Sequence, residues 1–243
     1  MKFGLIGKSL KHSFSQSYFT EKFKAEGLAQ HSYQNFELGS IGELVALKHN
    51  HPKLKGLNVT FPYKEVVLPF LKSLSADAQA IGAVNTIALK NGELHGYNTD
   101  WQGFMKSVDP LLSIHHQRCL VLGSGGAAKA VGYALEQLGM TYLLVSRSPK
   151  GSNEVGYLEA STLLADHRVL INTTPLGTFP EVNSRPPIEL GNLSKEHLVY
   201  DLIYNPEKSL LLKEAEIKGA QIANGLKMLE LQAELSWRIW NEF

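Results

Sequence analysis

Leu120-Val121-Leu122-Gly123-Ser124-Gly125-Gly126-Ala127-Ala128 decides how the rest of this chain is read. An apolar strand, Arg118–Leu122, runs into it. A helix, Gly126–Leu138, leaves it with Ala127, Ala130, Val131, Ala134, Leu135 and Leu138 along one stripe. Gly123, Gly125 and Ala128 fit the pattern G-x-G-x-x-A. The first glycine permits a tight turn, the second lets backbone approach a pyrophosphate, and the small third residue lets helix and strand pack closely. The helix N-terminus then offers backbone N–H groups to phosphates. A bare glycine pattern is weak, but the strand before it and the helix after it are the context that dinucleotide binding requires. The end of the next strand, Thr141–Val145, chooses the cofactor. An NAD site carries Asp or Glu there. Here the chain reads Val145-Ser146-Arg147-Ser148, with Lys150 beyond and no acid. A guanidinium fork suits a 2′-phosphate, so NADP is expected.

Outward from that turn, short apolar runs alternate with helix-period stretches. Gly139 stands where the helix should be capped. Val169–Ile171, Leu198–Asp201 and Gln221–Ala223 read as further strands, the stretch 175–187 as loop, and Leu226–Trp240 as an amphipathic helix. Upstream, Lys2–Ile6 reads as a strand, Ser15–Glu26 as a helix with Phe19 and Phe23 on one face, and Ser32–Phe36 as a strand. A helix over Ile41–Lys48 and a strand over Leu57–Thr60, stopped by Pro62, follow. Thr86–Leu89 and Leu94–Tyr97 flank Asn91-Gly92, a hairpin signal. Asp100–Leu112 reads as a helix. The alternation predicts parallel sheets covered by helices.

Composition narrows the function classes. The chain has 243 residues, 44% apolar and 19% charged, enough for one large or two modest domains. Lys+Arg 24 against Asp+Glu 23 gives net charge +1, which argues against a broad electrostatic grip on nucleic acid. A single cysteine, Cys119, excludes an internal disulfide framework and reads as core filler in a reducing compartment. No run approaches the ~18 apolar residues of a membrane span. The start is too short in apolar residues for a signal peptide, so a cytoplasmic protein with no membrane partner is expected. Among the nine histidines, His49/His51 and His115/His116 lack a zinc-type ligand spacing, and no metal site is expected.

Three polar clusters follow the N-terminal strands. In Lys11-His12-Ser13-Phe14-Ser15, two hydroxyls near a helix start suit a small carboxylate or an N-cap, and both readings stay open. In Asn58-Val59-Thr60-Phe61-Pro62-Tyr63-Lys64, Lys64 falls in the first turn of a helix, where a cation opposes the helix dipole and serves structure poorly. The third cluster is Asn85 with Asn98-Thr99-Asp100; Asp100 would also serve as an N-cap. Lys64 and Asp100 suit carbonyl reduction, which needs a proton donor at oxygen while hydride arrives at carbon. Their contact does not follow from sequence. Gln232 interrupts the apolar stripe Met228, Leu229, Leu235 and Ile239 of the last helix. Its amide either bonds backbone or points into a site.

In series, these residues resemble the shikimate dehydrogenase family over nearly the whole chain. The matching segments are His12–Ser15, Asn58–Lys64, Gly82-Ala83-Val84-Asn85-Thr86, Gly96–Gly103, Gly123–Ala127, Asp201-Leu202-Ile203-Tyr204-Asn205-Pro206 and Asn224–Gln232. The resemblance implies reversible NADP-linked reduction of 3-dehydroshikimate to shikimate, in aromatic amino-acid biosynthesis. It implies that Ser13 and Ser15 bind the substrate carboxylate. Thr60, Asn85, Asp100 and Gln232 would hold the ring hydroxyls with Tyr204 nearby, and Lys64 would be the acid/base, supported by Asp100. Gly123, Gly125, Gly126 and Ala127 would cradle the pyrophosphate. Ser146, Arg147 and Ser148 would take the 2′-phosphate, and Thr174, Leu202, Gly225 and Met228 the nicotinamide half. The implied fold is two α/β domains flanking a cleft: 1–101 plus 226–243 for substrate, and a Rossmann-type doubly wound parallel sheet, 102–225, for NADP. A monomer or homodimer is expected. Ser9 and Gln16 stand where the family commonly has prolines, and Ser146 where it often has asparagine. Two other readings remain: a quinate or dual quinate/shikimate dehydrogenase, and a nucleotide-sensing module on the same fold that has lost turnover.

Overall fold

The computed structural model describes residues 1–11 and 13–242. They form two compact units, Met1–Thr99 with Ala233–Phe243, and Asp100–Gln232. No described helix is long and apolar enough to cross a membrane.

The first unit holds a six-stranded sheet: β1 (Lys2–Gly7), β2 (Ser32–Glu37), β3 (Leu54–Val59), β4 (Ser73–Leu74), β5 (Thr86–Lys90) and β6 (Glu93–Tyr97), in the order β2-β1-β3-β5-β6-β4. Its helices are α1 (Phe14–Ala25), α2 (Leu44–Asn50), α3 (Tyr63–Val66) and α4 (Ala76–Ile81). The sheet is mixed, not parallel throughout as the alternation suggested. β1 pairs parallel with β2 and β3, but β5 runs antiparallel to both β3 and β6. The hairpin at Asn91-Gly92, where φ is 51° and 77°, turns the chain straight back and makes β6 antiparallel to β5. As a result Thr60 after β3, Asn85 before β5 and Asn98 after β6 all leave the sheet at one edge. Phe3, Phe19, Phe23, Tyr33 and Trp240 pack into an aromatic core in this unit, with Phe19 and Tyr33 stacked at 4.6 Å.

The second unit is parallel throughout. Its strands are β7 (Arg118–Leu122), β8 (Thr141–Val145), β9 (Glu154–Val155), β10 (Val169–Asn172), β11 (Leu198–Asp201) and β12 (Gln221–Asn224), in the order β12-β11-β10-β7-β8-β9. Counted within the unit and read from the β9 edge, this is the 3-2-1-4-5-6 order of a dinucleotide-binding sheet, whose strand order reverses between β7 and β10. Cys119 and Val121 face one apolar cluster, and Leu120 and Leu122 face the other, so β7 is buried on both sides. Burial pushes the Cys119 thiol up to about 12, which fits core filler. The helices are α5 (Asp100–Val108), α6 (Gly126–Gln137), α7 (Tyr157–Leu163), α8 (Leu210–Ile217) and the start of α9 (Leu226–Asn241). α5 is shorter than Asp100–Leu112, because Pro110 follows and turns Asp109–Leu111 into a 3-10 segment. Asp100 is the first helical residue rather than its cap.

Candidate active site

Ser13 sits at the N-cap position of α1 but makes no capping bond. Its Oγ is buried and has no partner among the described residues. A capping serine would accept a backbone N–H of the first turn; this one does not. The loop that carries it is pinned through Leu10. Ser13 N donates to Leu10 O at 3.0 Å, Asn35 Nδ2 to the same oxygen at 3.2 Å, and Leu10 N to Glu37 Oε1 at 2.7 Å. His12, in the same motif, lies outside the described residues. Ser15 is 8% exposed; burial raises the Tyr33 phenol's pKa, and Ser15 is near enough to act against that rise.

From Tyr33 a buried polar chain runs under the sheet edge. Tyr33 Oη donates to Asn58 Oδ1 at 2.8 Å, and Asn58 Nδ2 donates to Ser236 Oγ on α9 at 3.0 Å and to Thr86 Oγ1 at 3.3 Å. Asn85 Oδ1 accepts from Thr99 N at 2.7 Å, and its Nδ2 donates to Thr99 Oγ1 at 2.9 Å. Every member is buried and satisfied, which fixes the geometry of Asn85 more firmly than packing alone. Thr60 and Lys64 flank the start of α3. Thr60 N donates to Ile6 O at 3.0 Å, Tyr63 N to Thr60 O at 2.9 Å, and Val84 N to Lys64 O at 2.8 Å. Tyr63 is buried and its hydroxyl donates to Leu38 O at 2.5 Å. Lys64 is thereby held half-buried on a rigid turn. The first unit thus brings Ser13, Ser15, Thr60, Lys64 and Asn85 to one sheet edge.

In the second unit the cradle is backbone. Gly123 has φ 112°, and a Cβ there would lie 2.6 Å from Thr173 Oγ1, so glycine is required. Gly125 is the N-cap of α6, with no side-chain cap, and a Cβ there would meet nothing within 4 Å. The N–H groups of Gly126 and Ala127 therefore start a helix whose end faces open space, which fits a pyrophosphate. Ser146 Oγ, at the end of β8, is buried without a partner among the described residues. Arg147 and Ser148 are exposed beside it. The Arg147 guanidinium lies near enough to Tyr157 to lower that phenol's pKa, against the larger upward effect of burial. These features fit an adenosine 2′-phosphate. Across the switch, Thr174 Oγ1 donates to Asn172 Oδ1 at 2.7 Å and Leu202 N to Asn172 O at 3.0 Å. A Cβ on Gly225 would collide with the Leu202 carbonyl oxygen.

Four expected residues sit elsewhere in this unit. Asp100 opens α5 at 5% exposure, and Tyr204 is half-buried after β11. Met228 packs in the apolar cluster with Phe104, Val131 and Tyr200. Gln232 is buried in α9, and its Nε2 donates to Leu229 O at 2.9 Å. Sequence reasoning missed Tyr33, Ser236 and Asn172. Tyr33 and Ser236 bond Asn58 from 25 and 178 residues away, and Asn172 bonds Asp201 from 29 away, so no local pattern marks these pairs.

Comparison with known proteins adds the following. Residues 5–87 match the family model of the shikimate dehydrogenase substrate binding domain. A shikimate dehydrogenase (NADP(+)) of Clostridium botulinum is 36% identical, over 98% of this chain and 95% of its own. The crystal structure of shikimate dehydrogenase from Aquifex aeolicus superposes with a TM-score of 0.89 at 35% identity, covering 100% of this chain and 93% of that one. The Thermus thermophilus enzyme, in complex with NADP(H) and shikimate, gives a TM-score of 0.89 at 30% identity, covering 100% and 94%.

Proposed function

The chain belongs to the shikimate dehydrogenase family, and from that premise we propose that it catalyses the reversible NADPH-dependent reduction of 3-dehydroshikimate to shikimate. One observation carries the reading. Four buried side-chain polar atoms lack a partner among the described residues, and the two hydroxyls among them are Ser13 and Ser146. A buried polar group without a partner costs free energy unless a ligand supplies one. One hydroxyl belongs to the substrate edge and the other to the cofactor edge.

Residues 1–101 with 226–243 hold the substrate, and 102–225 hold NADP. Ser13 and Ser15 take the carboxylate, and Thr60, Asn85, Asp100 and Gln232 take the ring hydroxyls beside Tyr204. Gly123, Gly125, Gly126 and Ala127 hold the pyrophosphate, and Ser146, Arg147 and Ser148 the 2′-phosphate. Thr174, Leu202, Gly225 and Met228 flank the nicotinamide. Bound there, the cofactor supplies the hydride. Lys64 Nζ donates a proton to the carbonyl oxygen that becomes the alcohol, and in the reverse direction takes it back. Asp100 supports Lys64 in this step. The enzyme works in the cytoplasm as a monomer or homodimer.

The test is absorbance at 340 nm with shikimate or quinate and each oxidised cofactor in turn. Reduction of NADP by shikimate, faster than reduction of NAD, is expected. No change with any pair, or turnover with quinate alone, contradicts the proposal.

A further inference from the structure

Asn172 and Asp201 stand opposite each other at the C-terminal ends of β10 and β11, and neither exposes any surface. Asp201 Oδ1 accepts from Asn172 Nδ2 at 2.9 Å and from Ile203 N at 3.0 Å, and Oδ2 accepts from Ser209 Oγ at 2.5 Å. Ser209 is itself the N-cap of α8. No cation among the described residues acts on this carboxylate; its only compensation is those hydrogen bonds. A buried carboxylate without a counter-charge is a costly way to finish a strand, and the sheet core does not need it.

The far side of the pair shows what it holds. Asn172 Oδ1 accepts from both Thr174 N, at 3.0 Å, and Thr174 Oγ1, at 2.7 Å. Leu202 N donates to Asn172 O at 3.0 Å, and Gly225 N to Ile203 O at 3.1 Å. The chain leaving β10, β11 and β12 is thus tied to one carboxylate–amide pair. These strand ends lie across the β7/β10 switch from Arg147, where the second nucleotide of a dinucleotide falls.

We propose that Asp201, acting through Asn172, is a positioning residue that fixes Thr174 and Leu202 against the nicotinamide half of NADP. This rests on the cofactor assignment above. Asp201 touches no reacting atom, and its effect travels through Asn172 and the backbone of Ile203.

Asp201→Ala removes all three acceptor bonds, while Asp201→Asn keeps Oδ1 for Asn172 and Ile203 and can donate to Ser209 Oγ. In Asp201→Ala, KM for NADP should rise roughly 10- to 100-fold, the loss expected from buried hydrogen bonds, with KM for shikimate within about threefold. Asp201→Asn should recover most of the loss. Asn172→Ala cuts the link to Thr174 and leaves the Ser209 and Ile203 bonds, so it decides the matter if Asp201→Ala does not fold. It should raise KM for NADP in the same direction. Folded variants that keep NADP KM within about twofold of wild type overturn the proposal. So does an equal rise for both substrates that merely tracks a fall in Tm. Direct titration with NADPH keeps the two readings apart. If wild type binds NADPH without oxidising shikimate, the proposed function fails, while the same titration on Asp201→Ala and Asn172→Ala still decides this inference.

Discussion

In the unit formed by Met1–Thr99 and Ala233–Phe243, the residues assigned to substrate rest on neutral hydroxyls and amides. Tyr33, Asn58, Thr86, Thr99 and Ser236 bond one another beneath the sheet edge. In the unit Asp100–Gln232, the cofactor cradle is shaped by glycine backbone at 123 and 225, and the buried network of Asn172, Asp201 and Ser209 is anchored by a carboxylate. The difference follows from the ligands. A ring bearing several hydroxyls is held by an array of side-chain donors and acceptors at fixed directions. A pyrophosphate is held by backbone N–H groups and needs side chains kept away. Side-chain arrays tolerate little substitution but leave no spacing in the sequence, whereas a backbone cradle leaves glycines at set intervals.

The largest effect lies on the substrate side. Lys64→Ala should lower kcat on the order of 10²–10⁴-fold, since proton transfer matters mainly in the transition state. Shikimate and NADP affinities should change little. A variant with near-normal kcat would remove Lys64 from the chemistry and leave its half-buried place on α3 unexplained.

The next effect separates the two networks by pH. The substrate-side chain has no carboxylate or histidine, so acid should leave it unchanged. On the cofactor side, burial holds the Asp201 carboxyl up to about 6 from an ordinary 3.8, against the three hydrogen bonds that favour its charged form. The folded state therefore binds this proton more tightly than the unfolded one between those values. Asp201's contribution to stability is greatest below pH ~4, falls as pH rises to about 6, and is flat above. A shift of about two units amounts to roughly 3 kcal/mol. Denaturant titrations from pH 4 to 7 should show wild type losing about that much relative to Asp201→Asn. Parallel curves would mean that the carboxylate is not desolvated.

The same division explains what was legible in the sequence. Gly123, Gly125 and Ala128 with a strand before and a helix after pointed to dinucleotide binding, because that motif is local. Asn91-Gly92 marked the β5–β6 hairpin for the same reason, whereas the alternation suggested parallel sheets and the antiparallel pairing of β3 with β5 joins strands too far apart for a local pattern. α8 was missed although Ser209 caps it, because its eight residues are too few for a clear period. Ser13 stood open between cap and ligand, and the structure shows that its buried Oγ makes no capping bond. Gln232 interrupts an apolar stripe, which left its amide open between a backbone bond and a site. Its bond to Leu229 O shows that the amide serves the helix with one hydrogen, a detail no spacing reveals. Nothing in the sequence marked Ser236, which closes the Asn58 network from 178 residues away.

We assign selection of NADP to Arg147 in the unit Asp100–Gln232. That assignment is tested most directly by KM for NADP, NAD and shikimate in wild type and Arg147→Ala. A guanidinium–phosphate bond contributes about 1.5–3 kcal/mol, or roughly 10- to 100-fold in affinity. The variant should show KM for NADP raised by about that factor, with KM for NAD and for shikimate nearly unchanged. Equal losses for NADP and NAD would assign Arg147 to packing or to the shared pyrophosphate, and the NADP selection argued from Ser146-Arg147-Ser148 would fall.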